Sequence, residues 1–301
     1  MGLRGDEDPR RSEPGQTPSG QTPRRAEESR GLSSRILLLF VLLILALVAV
    51  ATVFLWRSLG DGITGTSVAK DSIDSAGPKP HVRLSNAAGR VTVEGITGSG
   101  SVEYEATRYA IGSDPAAAKQ RAAEVPVDIS REGSEITIET DGGQDTGADY
   151  TLRIPVAGSV EVESEAGDVE VSGLSGNVTV GAEAGDVTVS DVGGGVRIEA
   201  PSGDVTVTDV NTDTGGAELE VGSGDISLED LVLGTLETDV EAGSVTLSGR
   251  FSGDGLVSVE TGDIIARLPA EDTRNLTLQT RVGSVLREPP DAGSEAQEQG
   301  S

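Results

Sequence analysis

The residues of this 301-residue chain best placed to do chemistry are a row of aspartates. Asp168, Asp186, Asp204, Asp225 and Asp263 each follow a glycine and precede Val or Ile, and Ser244 stands where the row is broken. Carboxylates stacked about 4.8 Å apart repel by roughly 0.9 kcal/mol even in water, so something must offset them. Each Asp could accept hydrogen bonds from backbone N–H groups of its own turn. Calcium could instead bridge the row, as in nonapeptide β-rolls, but those use a fuller Gly-Gly-x-Gly-x-Asp turn that is missing here. The row is therefore read as a structural turn ladder, with no metal site assigned.

Other chemistry has few residues to draw on. His81 is the single histidine and there is no cysteine, which excludes disulfides, thiolate zinc sites and cysteine nucleophiles. A Ser-His-Asp arrangement would have to use His81, in or near a linker. Past Arg57 the aromatics are Tyr104, Tyr109, Tyr150 and Phe251, too few for the stacking platforms of a sugar-cleaving site. We expect no enzyme and no cofactor. Of 23 basic and 50 acidic residues, seven and six lie in residues 1–35, which leaves 16 and 44 after the apolar run and a net charge of -28 there. Such a surface repels nucleic acid and anionic membranes.

The elements that position these residues are repeats. From Val160 onward a G-x-V-x-V half-repeat recurs, and its alternation is that of short strands buried on one side. Taking every second unit gives two series. One runs Val169, Val187, Val205, Ile226, Val245, Ile264, Val285; the other runs Val160, Val178, Val196, Leu219, Leu236, Val257, Leu276. Self-similarity on this scale predicts an all-β, parallel two-sheet β-solenoid of seven coils, each of about 18–21 residues, with the two series stacked face to face. Strand-like runs precede it, and Ser113-Asp114-Pro115 opens an alanine-rich helix to about Val125. Ser113 is taken as its N-cap and the helix as a cap closing one end.

The spacings are asymmetric. Passing from the second series to the first takes seven or nine residues, whereas the return takes nine to fourteen. One edge should be tight and the other should carry loops around residues 208–218, 248–256 and 266–275. Insertions in repeat proteins gather on the binding face. Those loops place Arg250, Phe251, Arg267 and Arg274 as candidate binding residues for an anionic partner, such as a wall polymer, a lipid headgroup or an acidic protein.

Ile36–Trp56 is twenty-one residues without a charge, long enough to cross a bilayer as one helix. Arg24, Arg25, Arg30 and Arg35 precede it closely, so the bias of positive charge puts the N-terminus in the cytoplasm and the main domain outside. The expected organisation is a disordered cytoplasmic tail (1–35), a transmembrane helix (36–56), a stalk (57–80), the solenoid (81–288) and a disordered tail (289–301). In residues 81–288 the chain resembles the bacterial family of exported solenoid domains called "putative adhesin". The resemblance rests on the strand–helix–strand segment, on Tyr150-Thr151-Leu152-Arg153-Ile154-Pro155 and on repeats such as Ser202-Gly203-Asp204-Val205-Thr206-Val207. It implies a parallel solenoid in the cell envelope, in a family of unsettled function. The reading is an anchored, extracytoplasmic binding scaffold with an envelope polymer or protein as partner. A self-assembling structural solenoid and an envelope sensor signalling through the tail are its alternatives.

Overall fold

The computed structural model describes residues 63–74, 77, 79–98, 100–143, 145–269 and 275–289. The apolar run 36–56, both terminal tails and Arg274 lie outside the described residues. Among those described, no helix is long and apolar enough to cross a membrane.

Period-two alternation makes the strands. In Val187-Thr188-Val189 the valines are 1% and 0% exposed while Thr188 faces solvent. In chain order the strands are β1 (Ile63–Asp74), β2 (His81–Asn86), β3 (Val91–Ile96), β4 (Ser101–Gly112), β5 (Asp128–Glu132), β6 (Glu135–Thr140), β7 (Thr146–Pro155), β8 (Ser159–Ser164), β9 (Val169–Leu174), β10 (Val178–Ala182), β11 (Val187–Val192), β12 (Val196–Ser202), β13 (Val205–Ser223), β14 (Ile226–Ala242), β15 (Val245–Phe251), β16 (Gly255–Thr261), β17 (Ile264–Arg267), β18 (Leu276–Val282) and β19 (Val285–Glu288). One helix, α1 (Pro115–Glu124), lies between β4 and β5.

The strands stack in parallel in two columns around an aliphatic core. The first column runs β6, β2, β8, β10, β12, residues 217–223 of β13, residues 236–242 of β14, β16 and β18. The second runs β7, β3, β9, β11, the starts of β13 and β14, then β15, β17 and β19. From the rung of Val160 to that of Leu276 the chain makes about six turns, a β-solenoid of 18–21 residues per turn. The second column matches its expected series residue for residue. The first departs twice: Val196 pairs with Ala217, not Leu219, and Leu236 with Gly255, not Val257. A two-residue slip keeps a side chain on its face, so alternation alone could not detect it. With the register corrected, Val160 to Val169, Ala217 to Ile226, Gly255 to Ile264 and every other tight-edge step spans nine residues.

Glycine makes that edge tight. Gly167, Gly185, Gly203, Gly224, Gly243, Gly262 and Gly283 all hold φ between +126° and +154°, where L side chains are strained. They also lie directly on one another: a Cβ on Gly224 would sit 2.0 Å from the carbonyl oxygen of Gly203. Two constraints, conformation and room, therefore fall on the same residue.

The N-terminal end is closed differently. The rung of β2 and β3 is inserted between β6–β7 and β8–β9, so chain order and spatial order diverge there. Beyond it β4 adds antiparallel to β7, β1 antiparallel to β4, and β5 antiparallel to β6. The stalk expected over 57–80 thus contains a twelve-residue strand of the sheet. Helix α1 lies on β1 and β4, close enough that a Cβ at Gly65 would meet the Lys119 backbone nitrogen at 2.4 Å. Its inward residues, Ala118 and Ala122, are small for the same reason. The N-cap is Asp114, one residue beyond Ser113, and its Oδ1 accepts from the N–H groups of Ala116 (3.0 Å) and Ala117 (2.9 Å).

The C-terminal rung is less covered than the capped N-terminal end. Val282, Val285 and Leu286 are 60%, 40% and 49% exposed. Thr280 and Arg287 continue the inward rows of Val259 and Ala266, so polar groups enter positions that are aliphatic one turn earlier.

Two substitutions test this account by thermal melting. Gly224→Ala should lower Tm clearly, whereas Gly181→Ala, whose Cβ would meet nothing closer than 4.0 Å, should not. Thr238 is buried between Leu219 and Val257 with its hydroxyl unpartnered, so Thr238→Val should stabilise by about 1 kcal/mol.

Candidate binding surfaces

The turn ladder forms, but between coils. Asp186 N–H donates to Asp168 Oδ1 (3.3 Å), Asp204 N–H to Asp186 Oδ1 (3.0 Å), and Asp225 N–H to Asp204 Oδ1 (2.8 Å). Ser244 N–H donates to Asp225 Oδ1 (2.8 Å) and Ser284 N–H to Asp263 Oδ1 (2.7 Å). Each carboxylate therefore binds the turn of the next coil, not its own as the sequence reading had it. The stacking repulsion is offset by a charge-assisted bond across the very gap it acts over. At the N-terminal end Arg90 joins the row, its N–H donating to Asp149 Oδ1 (2.9 Å) and its guanidinium to Asp168 Oδ2 (2.9 Å). The Arg90 hydrogen bond, then the Asp186 N–H, hold the Asp168 carboxyl below its ordinary range; the Ser284 hydroxyl and N–H do the same for Asp263. Among the described residues no group of three or more His, Asp or Glu is placed to hold a metal ion. His81 begins β2, with its Nε2 3.6 Å from a Glu161 oxygen.

The other edge, over its described residues, is not a row of free loops. β13 and β14 run on through the corner, pairing Asn211 with Val232 and Thr212 with Leu233, and Leu233 pairs in turn with Phe251 of β15. Val192, Val210, Leu231 and Phe251 all bury there. Asp191, Asp209 and Asp230 take left-handed φ of 53–54° at successive corners, which an Asp tolerates better than most residues. The four candidate residues therefore part company. Phe251 is 4% exposed and belongs to the core, because the insertion folds inward. Arg267 pairs with Glu288 (Nε–Oε2 2.8 Å), Arg250 is exposed, and Arg274 lies outside the described residues.

The outward positions separate the two sheets. On four consecutive coils the second column presents Thr188, Thr206, Ser227 and Thr246 in one row. Ser190, Thr208 and Glu229 form the next row along the strands, and Ser248 follows beside a register shift between β14 and β15. On the same coils the first column presents Thr179, Arg197, Glu218 and Glu237, then Gly181, Glu199, Glu220 and Asp239. One face is a field of hydroxyls; the other is charged and mostly acidic. The acidic side also holds the main hollows. A groove of about 680 Å³ crosses it over Gly195, Gly216 and Gly255 between Arg197, Glu218 and Leu256. A second hollow of about 560 Å³ gathers Glu199, Glu220, Asp239, Glu241 and Glu260. Arg197 pairs with Glu218, and Arg281 with Glu260 at 3.4 Å. Sequence reading missed this contrast because it followed the inward residues; comparing the residue after each inward valine across coils would have found it.

The ladder carries a pH prediction. The Asp168 and Asp263 carboxyls are both depressed when folded, so their stabilisation is full above the ordinary Asp range and is lost as pH falls below about 4. Melting should weaken between pH 6 and pH 3, and Asp168→Asn should shrink that acid dependence while keeping an acceptor oxygen. A melting curve equally acid-sensitive in the variant would remove Asp168 from the account.

Three solved structures similar to this chain come from bacteria. A "putative adhesin" of Bacteroides fragilis is 11% identical over 74% of this chain and 97% of that one, with a TM-score of 0.48. A "putative cell adhesion protein" of Clostridium sporogenes is 10% identical over 74% and 99%, at 0.36. A "putative adhesin" of Parabacteroides distasonis is 17% identical over 76% and 98%, at 0.34. No curated protein matches the chain. The family model described as Toastrack DUF4097 matches residues 129–300, from the strand after α1 past the last rung of the repeats, which is more than half of the sequence. Through its stacked two-sheet coils, the chain belongs to the Toastrack DUF4097 family.

Proposed function

We propose that this protein is a non-catalytic, adhesin-like scaffold of the cell envelope, anchored by residues 36–56 and acting through the outward faces of its solenoid. The observation that carries the reading is the split between inside and outside. Inward positions repeat Val, Leu and Ile from coil to coil, while outward positions on the same strands differ between the two sheets. A repeat fold whose core is fixed by a few residue types leaves its surface free to be specific. The similar bacterial structures, called "putative adhesin" and "putative cell adhesion protein", fall in the same class. Orientation rests on the arginines before the apolar run.

A self-assembling structural role keeps one observation of its own, the exposed Val282, Val285 and Leu286 on the last rung. Thr280 and Arg287 at inward positions work against it, since inward polar groups are a known guard of sheet edges.

The chain has no cysteine, so single cysteines report topology cleanly. A membrane-impermeant thiol reagent on intact cells should label Ser258→Cys and leave Ser12→Cys unlabelled until the cells are permeabilised. The reverse pattern, or labelling of neither before permeabilisation, would discard the extracytoplasmic scaffold.

A further inference from the structure

We infer that the outer face of the second sheet, over β11, β13, β14 and β15, binds a neutral, ribbon-like linear polysaccharide laid along the solenoid axis. The inference rests on the scaffold reading above and names the ligand class of one face.

Seven of the eight outward positions on those strands are Ser or Thr, namely Thr188, Ser190, Thr206, Thr208, Ser227, Thr246 and Ser248, and the eighth is Glu229. Strand propensity alone does not account for this. Thr favours strands, yet on the same four coils the eight outward positions of the first column hold one hydroxyl, Thr179, and six charges. Both sheets are parallel stacks built on the same coils, so strand pairing by itself does not set which residue types face outward. Ser227 donates to Glu229 (2.9 Å) and Ser248 accepts from the Asp230 N–H (3.3 Å). The hydroxyls of Thr188, Thr206 and Thr246 have no partner among the described residues, which leaves one row of donors and acceptors open to solvent.

Geometry and charge then choose the occupant. Neighbouring positions stand about 4.8 Å apart along the axis and about 6.6 Å apart along the strands, so the hydroxyls, each both donor and acceptor, recur at the spacing of the coils. The hollows around Gly216 and Glu220 lie on the acidic sheet, and those on the second sheet lie at its N-terminal end, around Arg90 and Thr151, away from β11 to β15. Acidic polymers are repelled by a domain of this net charge, and basic ones are drawn to the Glu199, Glu220 and Asp239 side. What suits a flat, nearly uncharged field of hydroxyls is a flat, uncharged chain bearing hydroxyls at a repeat close to one coil. With no aromatic side chain on this face, each sugar is held weakly. Affinity must come from many contacts along the chain, so a polymer should bind where its short fragments do not.

The test uses the full-length protein in mild detergent, sedimented with insoluble cellulose and with chitin. Wild type should sediment with at least one of the two, and short soluble oligosaccharides of the same sugars should compete poorly. The triple variant Thr188→Val, Thr206→Val, Thr246→Val keeps strand propensity and should bind about tenfold more weakly or less. Glu199→Gln with Glu220→Gln, on the other sheet, should bind as wild type. A second triple variant, with Ser in place of the three threonines, should restore binding and separates lost hydroxyls from lost folding. Wild type left in solution with both polymers, or a valine variant that binds fully, overturns the inference. If wild type then still binds isolated cell envelopes, the scaffold reading survives without this ligand; if it binds neither, both fall.

Discussion

Backbone laid on backbone at the glycine edge is the constraint that the rest of this structure obeys. Each Gly of the edge rests on the carbonyl of the glycine one turn earlier, at a separation that leaves no place for a Cβ. That contact sets the coil-to-coil spacing and brings each Asp within reach of the next turn's N–H. It also fixes nine residues between the two columns on every coil from Val160 to Val285. Length variation is consequently expelled to the opposite edge. There the chain takes up its extra residues by extending β13 and β14 around the corner and burying Val210, Leu231 and Phe251. A solenoid with one stiff edge and one elastic edge tolerates coils of 18, 19 and 21 residues without losing register.

Much of this was legible in the sequence because it is carried by local pattern. The second column could be written down from Val169 to Val285, since Gly-Asp-Val marks each entry into it. The first column has no such marker. At Leu219 and Val257 alternation offered two equivalent inward residues, and pairing through Ala217 and Gly255 decided between them. Small residues were the blind spot: neither Ala217 nor Gly255 announces itself as core, although both are buried. Phe251 misled for the opposite reason. An aromatic in a stretch of extra residues reads as exposed until the corner is seen to fold inward. The inserted rung of β2 and β3 is a non-local pairing, which no periodicity reports.

The acidity of the domain bears on its surface more than on its stability. Asp residues at the glycine edge are tied into hydrogen bonds between coils, so part of the negative charge works as structure. The acids of the first sheet's outer face are of another kind. They crowd around two hollows with Arg197 and Arg281 as counter-charges among the described residues, while the second sheet's face at the same level is nearly neutral. The two sheets share a core and a backbone geometry but meet their surroundings as different materials.

Strand β1 has a mechanical meaning. It enters the fold at Ile63 and pairs with β4 over twelve consecutive residues, antiparallel, ending at Asp74. Tension arriving along the chain at Ile63 and directed down the strand loads all of those pairs at once, in shear, instead of opening them one after another. Behind β4 the load passes into β7 and from there into the parallel stack. A molecule that must hold on while being dragged would be fastened at this place and in this direction.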